Sequence, residues 1–194
     1  MKQRLIFATG NQDKMREIRE ILGDKDYEIL SMKEAGIDLD IVEDGSTFEE
    51  NAMIKAKAVM EVTGALTLAD DSGLEIDAFG GGPGIYSARY LGTDTSYIEK
   101  NKVILEKLKN IPEEKRTARF VCAIAAAFPN GQTLTTRGTM EGIIGYEAKG
   151  ENGFGYDPIF YLPQLEKYSA ELSRDEKNSL SHRGEALRKM KEIL

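Results

Sequence analysis

Cysteine and long apolar runs are scarce in this chain of 194 residues. The single cysteine, Cys122, cannot form a disulfide within the chain, and a lone thiol in an apolar run is typical of proteins from a reducing cytosol. The longest apolar run, residues 120–127, is far too short to span a bilayer. The apolar part of the first segment, residues 5–8, is also too short for a signal peptide. We therefore expect a soluble, cytoplasmic protein with no membrane partner.

Positive charge is not in excess either. The formal net charge is −7, and acidic and basic residues are interspersed along the chain. Because a phosphate backbone selects a basic surface, this balance argues against a nucleic-acid polymer as partner. It does not exclude a small anionic ligand, which needs only a local cluster of lysine and arginine or a metal ion. The sequence also has no low-complexity segment and no repeat of fixed period.

What is present is an alternation of strand and helix patterns. A strand-like segment at residues 4–9 precedes a helix that carries Met15, Ile18 and Leu22 on one face and ends at Gly23. Capping boxes of the form S/T-x-x-E, which mark helix starts, begin at residues 47, 96 and 173. Further strands are predicted at residues 27–30, 66–69, 74–79, 118–128, 133–138, 140–146 and 158–162.

This order of elements predicts an α/β fold, with strand–helix–strand units first and neighbouring antiparallel strands later. The turn PNG at residues 129–131 indicates a β-hairpin in the second half of the chain. The expected architecture is a mixed β-sheet flanked by helices. No linker is visible, so residues 1–194 are predicted to form a single domain with two lobes and a cleft.

The first polar cluster is ATGNQDK, residues 8–14, between the first strand and the first helix. Gly10 lets the backbone approach a ligand, and the free N–H groups of a helix start attract anions. Lys14, one turn into the helix, places a positive charge where a phosphate would bind. The segment is neither a Walker A loop nor GxGxxG, and a plain capped helix start with a solvated lysine explains the same residues.

The second cluster is VEDGSTFEENAMIKAKA, residues 42–58. Glu43 precedes a turn, and Asn51 and Lys55 lie four residues apart on one face of the predicted helix. Taken alone, this pattern favours a solvated and well-capped helix.

The third cluster, ADDSGL, places Asp70 and Asp71 side by side at the end of an apolar strand. Adjacent like charges repel, and unpaired carboxylates are costly to bury. An ordinary turn explains the pair, since aspartate, serine and glycine are turn formers. A ligand site explains it equally well, because α/β proteins bind ligands at strand ends.

Two further clusters lie near the end of the sequence. GFGYDPIF, residues 153–160, sets aromatic rings between glycines, which suits a flat ligand or a loop that packs its own aromatics. KNSLSHRGEA, residues 177–186, contains the single histidine, His182, next to Arg183. A histidine beside an arginine at a helix start is usually surface structure.

In their order and spacing, these motifs resemble the inosine triphosphate pyrophosphatase family. The matching segments are ATGN..K, EDG.TF.ENA..KA, ADDSGL, PGIYSAR, FGYDPIF and KN..SHR..A, from Thr9 to about Leu187. Bacterial members hydrolyse non-standard purine nucleoside triphosphates. The resemblance implies an elongated mixed α/β fold of two lobes with the active site in the cleft between them, a dependence on Mg²⁺, and a homodimer.

The resemblance also implies roles for the acidic residues. Asp71 is expected to be a metal ligand and the proton acceptor, and Glu43 is the other acidic residue associated with Mg²⁺. One or two carboxylates together with phosphates and water suit this ion. Lys55 is expected to be an additional catalytic cation, and Asp70 to orient its neighbour or cap the turn.

Substrate binding is expected from three segments. Asn11 and Lys14 are expected at the phosphates, and the ring of Phe154 or Tyr156 at the base. Donors from Arg183, His182 or the backbone would bond the C6 oxygen of hypoxanthine or xanthine and would face the amino group of adenine unpaired. Sites built on such hydrogen bonds can discriminate between substrates by about 10⁴-fold or more. The expected substrate-binding residues are Thr9, Gly10, Asn11, Gln12, Asp13, Lys14, Ser72, Phe154, Gly155, Tyr156, Asp157, Lys177, His182 and Arg183.

The expected reaction is Mg²⁺-dependent hydrolysis of ITP, dITP and XTP to the nucleoside monophosphate and pyrophosphate. Attack at the α rather than the γ phosphorus is implied by the family alone. The alternatives are a Mg²⁺-dependent nucleotide phosphatase of broader specificity and a non-catalytic nucleotide-binding module. Retention of Glu43, Asp71 and Lys14 together argues against the module, since binding alone does not require two metal carboxylates.

Overall fold

The structure, a computed structural model, describes residues 2–23 and 26–194. Within these residues the chain forms eight strands and five α-helices. The strands are β1 (Gln3–Phe7), β2 (Tyr27–Ser31), β3 (Leu66–Ile76), β4 (Gly82–Pro83), β5 (Thr117–Ala127), β6 (Thr133–Ile144), β7 (Phe160–Leu162) and β8 (Lys167–Tyr168). The α-helices are α1 (Gln12–Leu22), α2 (Phe48–Thr63), α3 (Tyr97–Leu108), α4 (Arg174–Leu180) and α5 (His182–Ile193). None of the helices found in these two ranges is long and apolar enough to cross a membrane.

The strands form one mixed sheet in the order β2-β1-β3-β5-β6-β7-β8, and β4 pairs with the end of β3. β1 runs parallel to β2 and to β3, and the long connections that parallel neighbours require contain α1 and α2. β7 is antiparallel to both of its neighbours, β6 and β8. The predicted mixed sheet flanked by helices is confirmed.

The chain divides into two compact units, each with its own apolar core. The first unit comprises Met1–Ser72, Cys122–Gly138 and His182–Leu194, and the second comprises Gly73–Val121 and Thr139–Ser181. The core of the first unit includes Leu5, Phe7, Met15, Ile18, Leu66, Leu68, Ile124 and Leu187. The core of the second unit includes Leu74, Ile104, Leu108, Phe120, Met140, Ile159, Phe160 and Leu162. Helices α1 and α5 therefore cover strands of the first unit, and α3 covers strands of the second.

The two adjacent aspartates lie inside a strand and not in a turn. The sequence predicts two strands with a turn at Asp70 and Asp71, whereas β3 runs without a break from Leu66 to Ile76. Side chains alternate along a strand, so Asp70 and Ser72 share one face and Asp71 points to the other. The strand can continue because the two carboxylates do not face each other.

β6 is also longer than expected. The sequence predicts two strands, at residues 133–138 and 140–146, but β6 is a single strand of 12 residues. Gly138 allows close packing here: a Cβ at this position would lie 2.1 Å from the carbonyl oxygen of His182 and 2.7 Å from the backbone nitrogen of Ala186. A glycine within a strand is typical of such an approach between two segments of backbone.

The predicted helix starts are found, but only one of the three predicted capping boxes has both of its hydrogen bonds among the described residues. Ser173 and Glu176 form a reciprocal capping box at α4. At α2, Thr47 Oγ1 accepts from the backbone N–H of Glu50 at 3.1 Å, but the Glu50 carboxylate accepts from the backbone N–H of Ser46 at 2.7 Å. The box at α2 is therefore shifted by one residue, which also fixes the turn before the helix.

Candidate active site

Asp70 lies in the interior of β3 and is 1% exposed. Its Oδ2 atom accepts hydrogen bonds from Lys14 Nζ at 2.8 Å and from Ser72 Oγ at 3.0 Å, and Arg183 Nε lies 3.5 Å away. Burial alone raises the pKa of this carboxyl, but Lys14, Arg183 and Lys55 lower it much more, so the pKa lies well below its usual range. Asp70 is therefore an ionised carboxylate whose charge the chain itself already compensates.

Arg183 lies in the first turn of α5 and is 2% exposed. Its Nη1 donates to Glu17 Oε2 at 2.6 Å, and its Nη2 lies 3.4 Å from Ser72 Oγ. Burial lowers the pKa of the guanidinium, but Asp70 and Glu17 raise it further, so the arginine stays charged. Within the first unit, Arg183 thus links α1 to the Asp70 face of β3.

Asp71 points to the opposite face of β3 and is 8% exposed. Burial raises the pKa of its carboxyl to about 6; Lys55 and Asn51 act to lower it, and Glu43 contributes to the rise. Its Oδ2 atom is buried and accepts no hydrogen bond from any residue that the structure describes. A buried carboxylate oxygen without a donor is an uncommon feature that calls for a partner such as a cation.

Glu43 and Lys55 complete this acidic face. Lys55 Nζ lies 3.3 Å from Glu43 Oε1, and both side chains contribute to the electrostatic environment of Asp71. No cluster of three or more potential metal ligands among His, Cys, Asp and Glu occurs in residues 2–23 and 26–194. Mg²⁺, however, commonly takes only one or two carboxylates and completes its shell with phosphate and water oxygens. Glu43 and Asp71 fit that requirement.

The loop before α1 is organised by Asn11. Its side chain accepts hydrogen bonds from the backbone N–H groups of Asp13 at 2.9 Å and Lys14 at 3.1 Å, and Thr9 Oγ1 accepts from the N–H of Asn11 at 3.2 Å. Around Gly10 the space is open, since a Cβ there would have no neighbour within 4 Å. The loop is therefore a fixed turn with room for a ligand against its backbone.

Asp157 is the centre of a second polar cluster, which lies in the second unit. Its Oδ2 accepts from the Phe154 N–H at 2.9 Å and from Lys177 Nζ at 2.7 Å, and its Oδ1 accepts from Ser169 Oγ at 2.8 Å. Gly153 has φ +71°, and a Cβ there would lie 2.2 Å from Asp157 Oδ2. The 3% exposed carboxylate thus holds the loop and Lys177 in one arrangement.

Two aromatic rings of this loop differ in how accessible they are. Tyr156 is 4% exposed, its hydroxyl donates to the carbonyl of Ser87 at 2.6 Å, and its ring packs edge-to-face on Tyr97 at 5.2 Å. Phe154 is partly exposed, and Lys177 Nζ lies 4.6 Å from the centre of its ring. Phe154 is therefore the more accessible of the two rings.

The predicted site residues are divided between the two units. In the first unit the structure brings Lys14 to Asp70 and brings Glu43 and Lys55 to the surroundings of Asp71. The candidates in this unit are Thr9, Gly10, Asn11, Gln12, Asp13, Lys14, Glu43, Lys55, Asp71, Ser72, His182 and Arg183. Those in the second unit are Phe154, Gly155, Tyr156, Asp157 and Lys177.

Three side chains with structural roles at these clusters, Glu17, Ser169 and Asn101, were not singled out from the sequence, and a fourth, Asn51, was noted only for its spacing to Lys55. Glu17 is 8% exposed although a charged residue on an amphipathic helix is normally assigned to the solvent face. Ser169 stands in KYSAEL, which carries no recognisable pattern. Asn51 and Asn101 lie on helix faces that read as solvated, yet they are 1% and 5% exposed. Only the four-residue spacing from Asn51 to Lys55 offered a signal.

Comparison with known proteins gives close sequence relatives over the full length. The sequence model of the Ham1 family matches residues 5–193. The dITP/XTP pyrophosphatase of Exiguobacterium sibiricum is 50% identical over 191 residues, which cover 98% of this chain and 96% of that protein. The dITP/XTP pyrophosphatase of Bacillus subtilis is 49% identical, with 100% of this chain and 98% of that protein covered.

Solved structures with the same fold include two Ham1 proteins. A HAM1 protein from Coxiella burnetii superposes with a TM-score of 0.91 at 41% identity, covering 98% of each chain. The Staphylococcus aureus Ham1 protein superposes with a TM-score of 0.89 at 41% identity, covering 98% of this chain and 97% of that one.

Proposed function

The chain belongs to the Ham1 family, and we propose that it hydrolyses the non-standard purine nucleoside triphosphates dITP, ITP and XTP to nucleoside monophosphate and pyrophosphate. The full-length similarity to proteins named dITP/XTP pyrophosphatase supports the reaction and the substrate class. In the structure, the proposal is carried by the buried Asp71 carboxylate, which stands beside Glu43 and Lys55 with one oxygen free of donors from the described chain. The enzyme would remove such nucleotides from the cellular pool.

Mg²⁺, as one or more ions, is the proposed cofactor, and Glu43 and Asp71 are the residues that would hold it. When bound, the ion neutralises negative charge on the triphosphate, which otherwise slows attack at phosphorus. Asp71 would also be the proton acceptor, which takes a proton from the attacking water. In the metal-free protein its pKa of about 6 already leaves the carboxylate mostly ionised at neutral pH.

The phosphates are assigned to the loop before α1 and to two lysines. Asn11 fixes the loop at the helix start, and Lys14 extends from the first turn of the helix. Lys14 is ion-paired with Asp70, so its ammonium is held in place before the substrate arrives. Lys55 supplies a second positive charge beside Glu43. Thr9, Gly10, Gln12, Asp13 and Ser72 complete this group, and the donors proposed for the phosphates are the Thr9 hydroxyl and the backbone N–H groups of Gly10 and Gln12.

The base is assigned to the loop of the second unit, together with Lys177 and His182. Phe154 supplies the stacking face, because Tyr156 is buried and its hydroxyl is engaged. Asp157 shapes the loop, and the backbone of Gly155 and its neighbours supplies donors for the C6 oxygen of hypoxanthine or xanthine.

Arg183 is assigned mainly to positioning. Its guanidinium is buried against Asp70 and Glu17, which together compensate its charge. In that arrangement it holds Asp70, and through Asp70 the Lys14 ammonium. Direct recognition of the purine C6 oxygen by Arg183 is the alternative, and the two roles differ in how its removal affects base selectivity.

One assay tests the proposed reaction. The protein is incubated with Mg²⁺ and either ITP or ATP, and the products are identified by chromatography. IMP and pyrophosphate from ITP, with little product from ATP, support the proposal. Orthophosphate from both nucleotides would instead indicate a phosphatase of broader specificity, and no turnover would indicate a nucleotide-binding module.

We also propose a cytoplasmic homodimer, as the family resemblance implies. The single cysteine and the balance of charge agree with a cytoplasmic enzyme that acts on small molecules. Light scattering after size-exclusion chromatography should give twice the mass of the chain, and a mass equal to one chain would contradict the dimer.

A further inference from the structure

The side chain of Asn51 is buried beside the acidic face of the first unit. It is 1% exposed and lies one turn before Lys55 on the same face of α2. A buried amide has both a donor and an acceptor that need partners. The carbonyl oxygen of this amide is related to the segment of Glu43 and its nitrogen to Asp71, the two acidic residues assigned to the metal.

The acceptor half fixes the segment that carries Glu43. Asn51 Oδ1 accepts a hydrogen bond from the backbone N–H of Gly45 at 2.8 Å. The fit is close, because a Cβ added to Gly45 would lie 2.7 Å from Asn51 Oδ1 and 2.8 Å from Glu50 Cβ. The chain two residues beyond Glu43 is therefore held against α2.

The second observation concerns the donor half of the amide and Asp71. Asn51 Nδ2 and Asp71 Oδ2 are both buried, and neither has a hydrogen-bond partner of normal geometry within the described part of the chain. The Asn51 amide nevertheless lowers the pKa of the Asp71 carboxyl, as a donor close to a carboxylate does. A hydrogen bond from Asn51 Nδ2 to Asp71 Oδ2 would satisfy both atoms, which are costly to leave unpaired in a buried position.

We propose that Asn51 is a positioning residue of the metal site, which holds the Glu43 segment with its carbonyl and the Asp71 carboxylate with its amide nitrogen. A neutral side chain suits this place, because it adds no charge that competes with a cation, and a carboxylate oxygen has lone pairs for a hydrogen bond as well as for a cation. The inference rests on the proposed function, since it assigns Asn51 to the ion that Glu43 and Asp71 would share. Residues that orient metal ligands in this way tune both affinity and reactivity.

The test is direct binding of Mn²⁺ to the whole protein, followed by electron paramagnetic resonance. Asn51→Ala is expected to raise the Kd for Mn²⁺ by about 10-fold or more, the scale for losing a residue that orients a metal ligand. The Mg²⁺ concentration that half-saturates ITP hydrolysis should rise in parallel. The KM for ITP at saturating Mg²⁺ should change little, a separation that a general loosening of the fold would not produce.

Asn101→Ala is the matched control. Asn101 is also a buried helical asparagine, its Nδ2 donates to the carbonyl of Gly155 at 3.1 Å, and its Oδ1 has no partner within the described chain. This variant should bind Mn²⁺ as the wild type does. If circular dichroism shows that Asn51→Ala does not fold, Asn51→Ser is measured instead.

The outcomes separate the inference from the function on which it rests. A folded Asn51 variant with the wild-type Kd for Mn²⁺ overturns the positioning role. A wild-type protein that hydrolyses ITP but binds Mn²⁺ no better than Asp71→Asn overturns the metal site itself, and with it the role of Asn51. If the wild type binds Mn²⁺ normally but does not hydrolyse ITP, the proposed reaction is overturned. The Kd for Mn²⁺ of the wild type and of the Asn51 variant then still decides the positioning role.

Discussion

At the scale of single residues, two neighbouring aspartates have opposite protonation properties because they lie on opposite faces of one strand. Asp70 faces Lys14 and Arg183, which hold its pKa well below the usual range. Asp71 is buried with fewer compensating charges, and its pKa is raised to about 6. One carboxylate is thus neutralised by the protein, and the charge of the other is compensated less. Pairs of acids whose environments separate their pKa values are typical of active sites.

Asp71→Asn should abolish most of the activity without unfolding the protein. Asparagine has nearly the same shape but neither accepts the proton nor carries the charge, so kcat for ITP should fall by about 10²-fold or more. Asp94→Asn makes the same change at an exposed site and should leave kcat unchanged. Wild-type turnover of Asp71→Asn at saturating Mg²⁺ would contradict the assigned role.

Arg183→Ala should separate positioning from base recognition. Removing one partner of a buried ion pair costs about 3–5 kcal/mol, so the free energy of unfolding should fall markedly. Because the guanidinium is engaged by Asp70 and Glu17, we expect kcat/KM for ITP and for ATP to fall by the same factor.

Lys14→Ala should likewise leave the preference for ITP over ATP intact, because Lys14 is assigned to the phosphates, which the two nucleotides share.

The measurement is kcat/KM for both nucleotides at one Mg²⁺ concentration, at a temperature where circular dichroism shows folded protein. A decrease of the ITP-to-ATP difference by about 1–3 kcal/mol, the scale for an unpaired buried polar group, would show instead that Arg183 reads the base.

At the scale of elements, the helices were easier to predict than the strands. Capping residues and apolar spacing are local signals, and the predicted helix starts agree with α2, α3 and α4. The strand β3 was divided in the prediction because Asp-Asp-Ser-Gly is typical of a turn. In the fold, the buried Asp70 is compensated by Lys14 and Arg183, which are distant from it in sequence, and Asp71 lies on the other face of the strand. No local pattern contains that information.

The loop that contains Gly153, a glycine with a positive φ angle, provides a test at the scale of elements. Gly153→Ala would place a Cβ 2.2 Å from Oδ2 of Asp157, whose carboxylate is held in place by three hydrogen bonds, two of them to Oδ2. Gly131→Ala at the hairpin turn meets the same backbone strain, with φ +90°, but has nothing within 4 Å. We expect both variants to lose stability, by about 1 kcal/mol for the strain alone, and Gly153→Ala to lose clearly more.

Urea denaturation and the KM for ITP are the two measurements. Only Gly153→Ala should raise the KM, because its clash displaces the loop that carries Phe154. Equal losses of stability with an unchanged KM in both variants would show that Asp157 does not need this glycine.

At the scale of the whole molecule, the order of the motifs carried the prediction of family and fold. Each cluster alone had an ordinary structural explanation, but six in a fixed order over nearly the full chain did not, and the family is confirmed. The side chains that contact the site residues could not be predicted from the order of the motifs. Glu17 pairs with Arg183 across 166 positions of sequence, and only the fold brings them together.

The raised pKa of Asp71 also links the stability of the whole fold to pH. A folded-state pKa of about 6 lies above the ordinary value of 3.8, so between these values the folded protein binds more protons than the unfolded chain. The contribution of Asp71 to stability is therefore greatest below about pH 4 and is lost as pH rises through 6. The difference between the two pKa values corresponds to roughly 3 kcal/mol.

This linkage predicts how the stability of the wild type and of Asp71→Asn should change with pH in chemical denaturation, with and without Mg²⁺. In EDTA, the wild type should lose roughly 2–3 kcal/mol relative to Asp71→Asn between pH 4 and pH 8, and the comparison cancels the titrating groups that do not interact with Asp71. Added Mg²⁺ should reverse the loss at pH 8, because a cation binds the ionised carboxylate, and should have little effect at pH 4, where the carboxyl is protonated. Asp71→Asn should respond weakly to Mg²⁺ at either pH. A difference between wild type and variant that stays constant from pH 4 to pH 8 would mean that Asp71 titrates normally and is not the carboxylate that the fold reserves for a cation.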